Sequence, residues 1–146
     1  MEYKDLARDT VERSMLLLEI GLKDANIQKY EVTFTLAILR TLLTIAYETF
    51  RDAFSEEDFS KLKTSGMTVS DGVRLPSDFI AEMRHAVAHM LITSEAHESR
   101  IASIDFATRR GFIARLRPSD LIDLTRHLGA RILAASGGQS LATAGI

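Results

Sequence analysis

Cysteine is absent from this 146-residue chain. That excludes a disulfide framework, a thiolate metal site and a cysteine nucleophile. It also removes any positive sign of secretion. No run of about 18 uncharged apolar residues occurs, so no membrane span is expected. The opening MEYKDLARD is charged from its second residue, with no apolar stretch behind a basic start, so no leader is expected. Glycine-rich phosphate loops, a GxGxxG fingerprint and a Ser-His-Asp arrangement are missing too. There is no internal repeat and no low-complexity run. What remains is one domain's length, 46% hydrophobic and 26% charged, long enough to bury a core without staples. A cytoplasmic domain is the expectation.

The net charge of −2 argues against strong non-specific affinity for nucleic acid, but it is unevenly spread. Residues 1–99 hold 11 Lys/Arg and 17 Asp/Glu, a net −6. Residues 100–146 hold 7 Arg, no Lys and 3 Asp, a net +4. Arginine is the residue best suited to bidentate phosphate contacts.

Helical spacing of Leu6, Val11, Met15, Leu18 and Leu22 predicts a first helix over 5–20, ended or bent by Gly21. A longer one runs over 26–53 with Asn26 as its N-cap. Its centre, TFTLAILRTLLTIAY, is apolar or Thr nearly all round, which implies burial on several faces, one of them against a partner subunit. A short helix spans 56–63, and Thr64–Leu75 reads as a loop. The only two prolines open "PSDFI" and "PSDLI", helix starts with Ser77 and Ser119 as N-caps. Between them the period changes to two. Ile104 and Phe106 alternate with Ser103 and Asp105, and Phe112, Ala114 and Leu116 with Ile113, Arg115 and Arg117, predicting a β-hairpin. The last helix covers 120–134. The predicted fold class is all-α, four main helices with a short hairpin between the last two. Residues 1–135 form one domain and 136–146 a disordered tail.

The segment "EMRHAVAHML" carries the chemistry. On a wheel of about 100° per residue, Phe79, Met83, Ala86, Val87 and Met90 cluster within about 100° as a core face. Arg84 lies at its edge. His85, His89, Glu82, Ala81 and Ala88 fill the rest. Ala81 and Ala88 are two turns apart and small enough to admit a second helix. Arg84 and His89 diverge by about 140° on one helix. Two copies of the helix meeting near the alanines bring both pairs into one cleft.

An Arg followed after four residues by His, late in an amphipathic helix that comes after two long ones, resembles the HEPN family. Here the motif reads Arg84-His85-Ala86-Val87-Ala88-His89. The resemblance spans roughly residues 5–134. It implies a helical domain and a metal-independent endoribonuclease working as a homodimer, with Arg84 and His89 of both subunits lining one cleft. Such chemistry needs a base for the 2′-OH, an acid for the 5′-oxygen and positive charge at the phosphorane. Histidine and arginine supply these. The family usually carries Asn where His85 stands, so His85 is either an orienting residue or a second acid–base. Leu91 occupies the position where members paired with a nucleotidyltransferase antitoxin often carry a Tyr, so that mode of control is not expected.

The bland alternatives are a surface Arg84, a structural His89 at a subunit interface, and a dimeric module that binds a nucleotide, nucleic acid or partner protein without cutting. A metal reading rests on the i, i+4 pair His85 and His89 and on the Glu-x-x-His unit Glu82–His85. It lacks a Glu directly after His85 and a second Glu-x-x-His, and Arg84 repels a cation. No metal and no cofactor is therefore expected. Arg109, Arg110, Arg115 and Arg117 read either as a solvated hairpin or as an RNA-backbone rim. An antitoxin or phage-defence partner is the expected setting. His97 and His127 carry no usable pattern.

Overall fold

The computed structural model describes the backbone of residues 3–143 and the side chains of residues 5–136. The elements run α1 (Tyr3–Lys23), α2 (Ala25–Gln28), α3 (Glu31–Thr49), α4 (Glu56–Ser65), β1 (Thr68–Val69), α5 (Pro76–Ala88), β2 (Ile92–His97), β3 (Arg100–Ala107), β4 (Ile113–Leu116) and α6 (Pro118–Thr143).

The fold is mostly helical but not all-α. The four strands form one antiparallel sheet in the order β1-β4-β3-β2. The expected hairpin is its centre, β3 against β4, with Ile104 opposite Leu116 and Phe106 opposite Ala114. All four side chains are buried, while Ile113 and Arg115 face outward. The strands missed by pattern are β1 and β2. β1 has two residues, and residues 93–97 of β2 are exposed throughout. A strand with no buried face has no apolar alternation to read. Its conformation comes from pairing with β3.

The long second helix is broken. Asp24, not Asn26, caps α2 by accepting the Asn26 and Ile27 N–H groups, and α3 starts afresh at Glu31. Gly21 does not end α1. It lies within α1 where a Cβ would sit 2.3 Å from the Phe34 ring, so it is a close-packing residue. α6 continues past Ala134 through Thr143. Residues 144–146, the end of the expected disordered tail, lie outside the described residues.

α3 is the central helix and packs on α1, α5 and α6. It is long and apolar enough to cross a membrane by length and composition alone, but its Leu39, Leu42, Leu43 and Ala46 are buried in the core. Two bidentate ion pairs tie α6 to its neighbours: Arg131 to Asp58 on α4 and Arg126 to Glu19 on α1. α5 is seated by Phe79, whose ring meets Phe59 (5.0 Å between centroids), Phe54 and Phe112 (6.1 and 6.2 Å). One side chain thus joins α4, the α3–α4 link and the β3–β4 turn to the motif helix.

Candidate active site

α5 starts with Pro76 at its first turn and Leu75, in extended conformation, as its N-cap. No side chain caps it. Ser77 lies inside the helix, because the proline ring already fixes the first helical φ. Ser119 lies inside α6 in the same way. There Asp120 accepts the Arg117 N–H instead.

The helix ends at Ala88, earlier than its apolar period implies. Leu91 N–H donates to Ala86 C=O and Met90 N–H to Val87 C=O. This is a Schellman motif. Its left-handed position is Met90, at φ 53°. Met90 is therefore turned out and exposed rather than part of the core face, where Ile80 is buried instead. His89 becomes the C-cap residue and stands exposed at the helix end.

The ring of His89 packs on that of His85, 4.5 Å between centroids and 51° between planes. His85 and Arg84 line one open pocket of about 430 Å³, with Tyr47 of α3, Asp78 and Glu82 of α5, and Arg110 of the β3–β4 turn. Ser70, Gly72 and Val73 of the 64–75 segment supply another wall. His89 does not line it. Within a single chain the pocket pairs Arg84 with His85, and His89 touches it only through the His85 ring.

Arg84 is half-buried, and its guanidinium carbon lies over the Tyr47 ring, 4.9 Å from the centroid. Its Nε has no hydrogen-bond partner, and Arg84 forms no ion pair among the described residues. Glu82 is engaged from the turn: Thr108 Oγ1 donates to it at 3.0 Å and Arg110 lies at 3.5 Å. Among the described residues no three His, Asp or Glu side chains cluster as metal ligands.

The four hairpin arginines are not together. Arg110 lines the pocket, and Arg109 is exposed beside it on the turn. Arg115 is held on the outer sheet face, bidentate to Asp105 and 3.4 Å from Glu95. Arg117 is held by Asp120 and donates to the Ser65 C=O at the end of α4. Tyr47 has no sequence motif behind it. The only trace is a polar aromatic near the end of an apolar helix, with Arg51 four residues on.

The family model described as HEPN pEK499 p136 matches residues 1–136, and the chain belongs to this HEPN family. No curated protein and no solved structure matches it significantly.

Proposed function

We propose that this chain is a metal-independent endoribonuclease of HEPN type that cuts single-stranded RNA as a homodimer. One observation carries the reading. Arg84, with no ion pair among the described residues, shares an open pocket with His85, and the His89 ring packs at a tilt against His85, 4.5 Å between centroids. A fixed cation and two titratable rings are the groups that the reaction needs.

Arg84 holds the scissile phosphate and stabilises the charge that grows on its non-bridging oxygens. A histidine takes the proton of the 2′-OH, and the 2′-oxygen forms a bond to phosphorus. The bond to the 5′-oxygen breaks, and that oxygen receives a proton from a second histidine. The products are a 2′,3′-cyclic phosphate and a 5′-OH. His89 is the proton-transfer residue and His85 orients it. A second copy, docked along α5 at Ala81 and Ala88, brings a further His89 to the cleft. Ala88 is exposed and Ala81 half-buried, which leaves room for that approach. A cytoplasmic toxin or phage-defence role is the setting that fits this activity.

The test is RNA cleavage by the dimeric protein in excess EDTA, with His89→Ala and matched DNA as controls. RNA-only cleavage with cyclic-phosphate ends, lost in a folded His89→Ala variant, supports the mechanism. No cleavage by a folded dimer favours a second reading, a non-cutting module for a nucleotide, nucleic acid or partner protein. The position of His89 outside the pocket that holds Arg84 favours that alternative.

A further inference from the structure

We infer that Tyr47 and Arg51, four residues apart at the end of α3, form a second phosphate subsite beside Arg84. A single RNA strand would then be held at two neighbouring phosphates. The inference rests on the RNA reading above.

Arg51 lies over the Tyr47 ring, its guanidinium carbon 4.2 Å from the centroid, and its Nε donates to the Tyr47 C=O at 3.2 Å. Arg84 lies over the same ring at 4.9 Å. Because both carbons are measured from one centroid, they stand at most about 9 Å apart. Neither guanidinium forms an ion pair among the described residues. The other arginines facing the pocket or sheet, Arg110, Arg115 and Arg117, each have a carboxylate. Two like charges that converge with neither held in an ion pair repel one another, and a bound phosphate relieves that cost.

The ring does more than space the cations. Cation–π contact positions each guanidinium, and the terminal N–H groups of Arg51, whose Nε is taken by the Tyr47 C=O, remain to meet phosphate oxygens. Tyr47 lines both the Arg84 pocket and an adjoining one of about 470 Å³ that contains Arg51. Tyr47 is thus the wall that the two pockets share, which sets Arg84 and Arg51 on neighbouring sites. Glu48 and Asp52 also line the second pocket. They repel further phosphate there, so Arg51 contributes one contact and not a broad basic patch.

The experiment measures affinity of the full chain for a labelled 2′-O-methyl oligonucleotide against salt. The blocked 2′ position prevents cleavage, so binding is read alone. Arg51→Gln, an exposed substitution that leaves folding intact, is expected to reduce the salt slope by about 0.7, the value of one phosphate contact on a single strand. The loss should be equal for different sequences and absent for a dinucleotide with one phosphate. Tyr47→Phe keeps the ring and should match wild type. Tyr47→Leu, checked for folding by circular dichroism, should lose at least as much as Arg51→Gln. Wild-type binding with an unchanged slope in Arg51→Gln overturns the subsite and leaves the RNA reading standing. No binding by wild type to any strand overturns the RNA reading, and the subsite with it.

Discussion

His85 and His89 stand one above the other, 4.5 Å between ring centroids, with only His85 lining the pocket that holds Arg84. Their roles should separate on mutation. His89→Ala is expected to lower cleavage about 10²–10⁴-fold, the usual worth of a proton-transfer group. His85→Asn, which restores the residue HEPN proteins usually carry, should retain cleavage, and His85→Ala should lose part of it. Cleavage rates in EDTA across the three variants decide this. Equal loss in His85→Asn and His89→Ala would give His85 a proton to move.

The turn after α5 carries a side chain where glycine is favoured. Met90 sits at φ 53° with its side chain exposed. The left-handed conformation costs an L-residue about 1–2 kcal/mol. Glycine avoids this but loses about 0.5–1 kcal/mol in backbone entropy. Met90→Gly should therefore raise stability by roughly 0.5–1 kcal/mol, read as a higher urea midpoint. A lower midpoint would mean that Met90 makes contacts that outweigh the backbone cost.

The hairpin arginines should divide into two groups. Arg109→Gln removes an exposed charge on the turn beside the pocket and should reduce the salt slope of RNA binding by about 0.7, while Arg110→Gln, whose charge already faces Glu82 at 3.5 Å, should reduce it by less. Arg115 and Arg117 are already held by Asp105 and Asp120. Arg115→Gln should leave the slope nearly unchanged. Arg117→Gln should lower stability instead, because it strips a partner from the buried carboxylate of Asp120. The same salt titration, run on all four variants, tests this. A full slope loss in Arg115→Gln would show that its carboxylates yield to phosphate.

Acid should unfold the protein through Asp58 and Asp120. Burial raises the Asp58 pKa, but hydrogen bonds from Arg131 and Ser55 outweigh it and hold the carboxyl below its ordinary value. For Asp120 the hydrogen bond from Arg117 dominates; burial opposes it, and Ser65 and the Arg117 N–H add to it. With both folded values depressed, the unfolded chain takes up protons first. The stabilisation is fully present above the ordinary aspartate value of about 3.9 and is lost as pH falls through the lower folded values. The urea midpoint should thus hold down to about pH 5 and drop progressively below it, as protons bind the unfolded chain first. Asp58→Asn should be weaker at neutral pH by about 1–3 kcal/mol and show a shallower drop. A drop as steep as wild type in both Asp58→Asn and Asp120→Asn would place the acid sensitivity elsewhere.

Much of the local structure was legible. The alternation of Ile104, Phe106, Ala114 and Leu116 marked the two inner strands, because a half-buried strand writes its buried face into the sequence. The placing of Arg84 and His85 on one helix follows from spacing alone. The end of that helix was not legible. The apolar period carries on through Met90, and nothing marks a Schellman turn when its left-handed residue is not glycine. The same holds for Asp24 and Leu75 as caps, which displaced Asn26 and Ser77. A cap is settled by which N–H groups face outward, and several nearby polar residues can serve.

By itself the sequence determined the period of the main helices and of the inner hairpin, and the placing of an Arg-x4-His motif late in one helix, since these depend on neighbours within a turn or two. Only the tertiary structure decided that Tyr47 lies under Arg84, that Thr108 and Arg110 fasten Glu82, that β2 joins the sheet, and that His85 rather than His89 faces the pocket. Those pairings join residues far apart in the chain. They follow from how Phe79 seats α5 against α4 and the β3–β4 turn, a matter of shape and volume that no local pattern records.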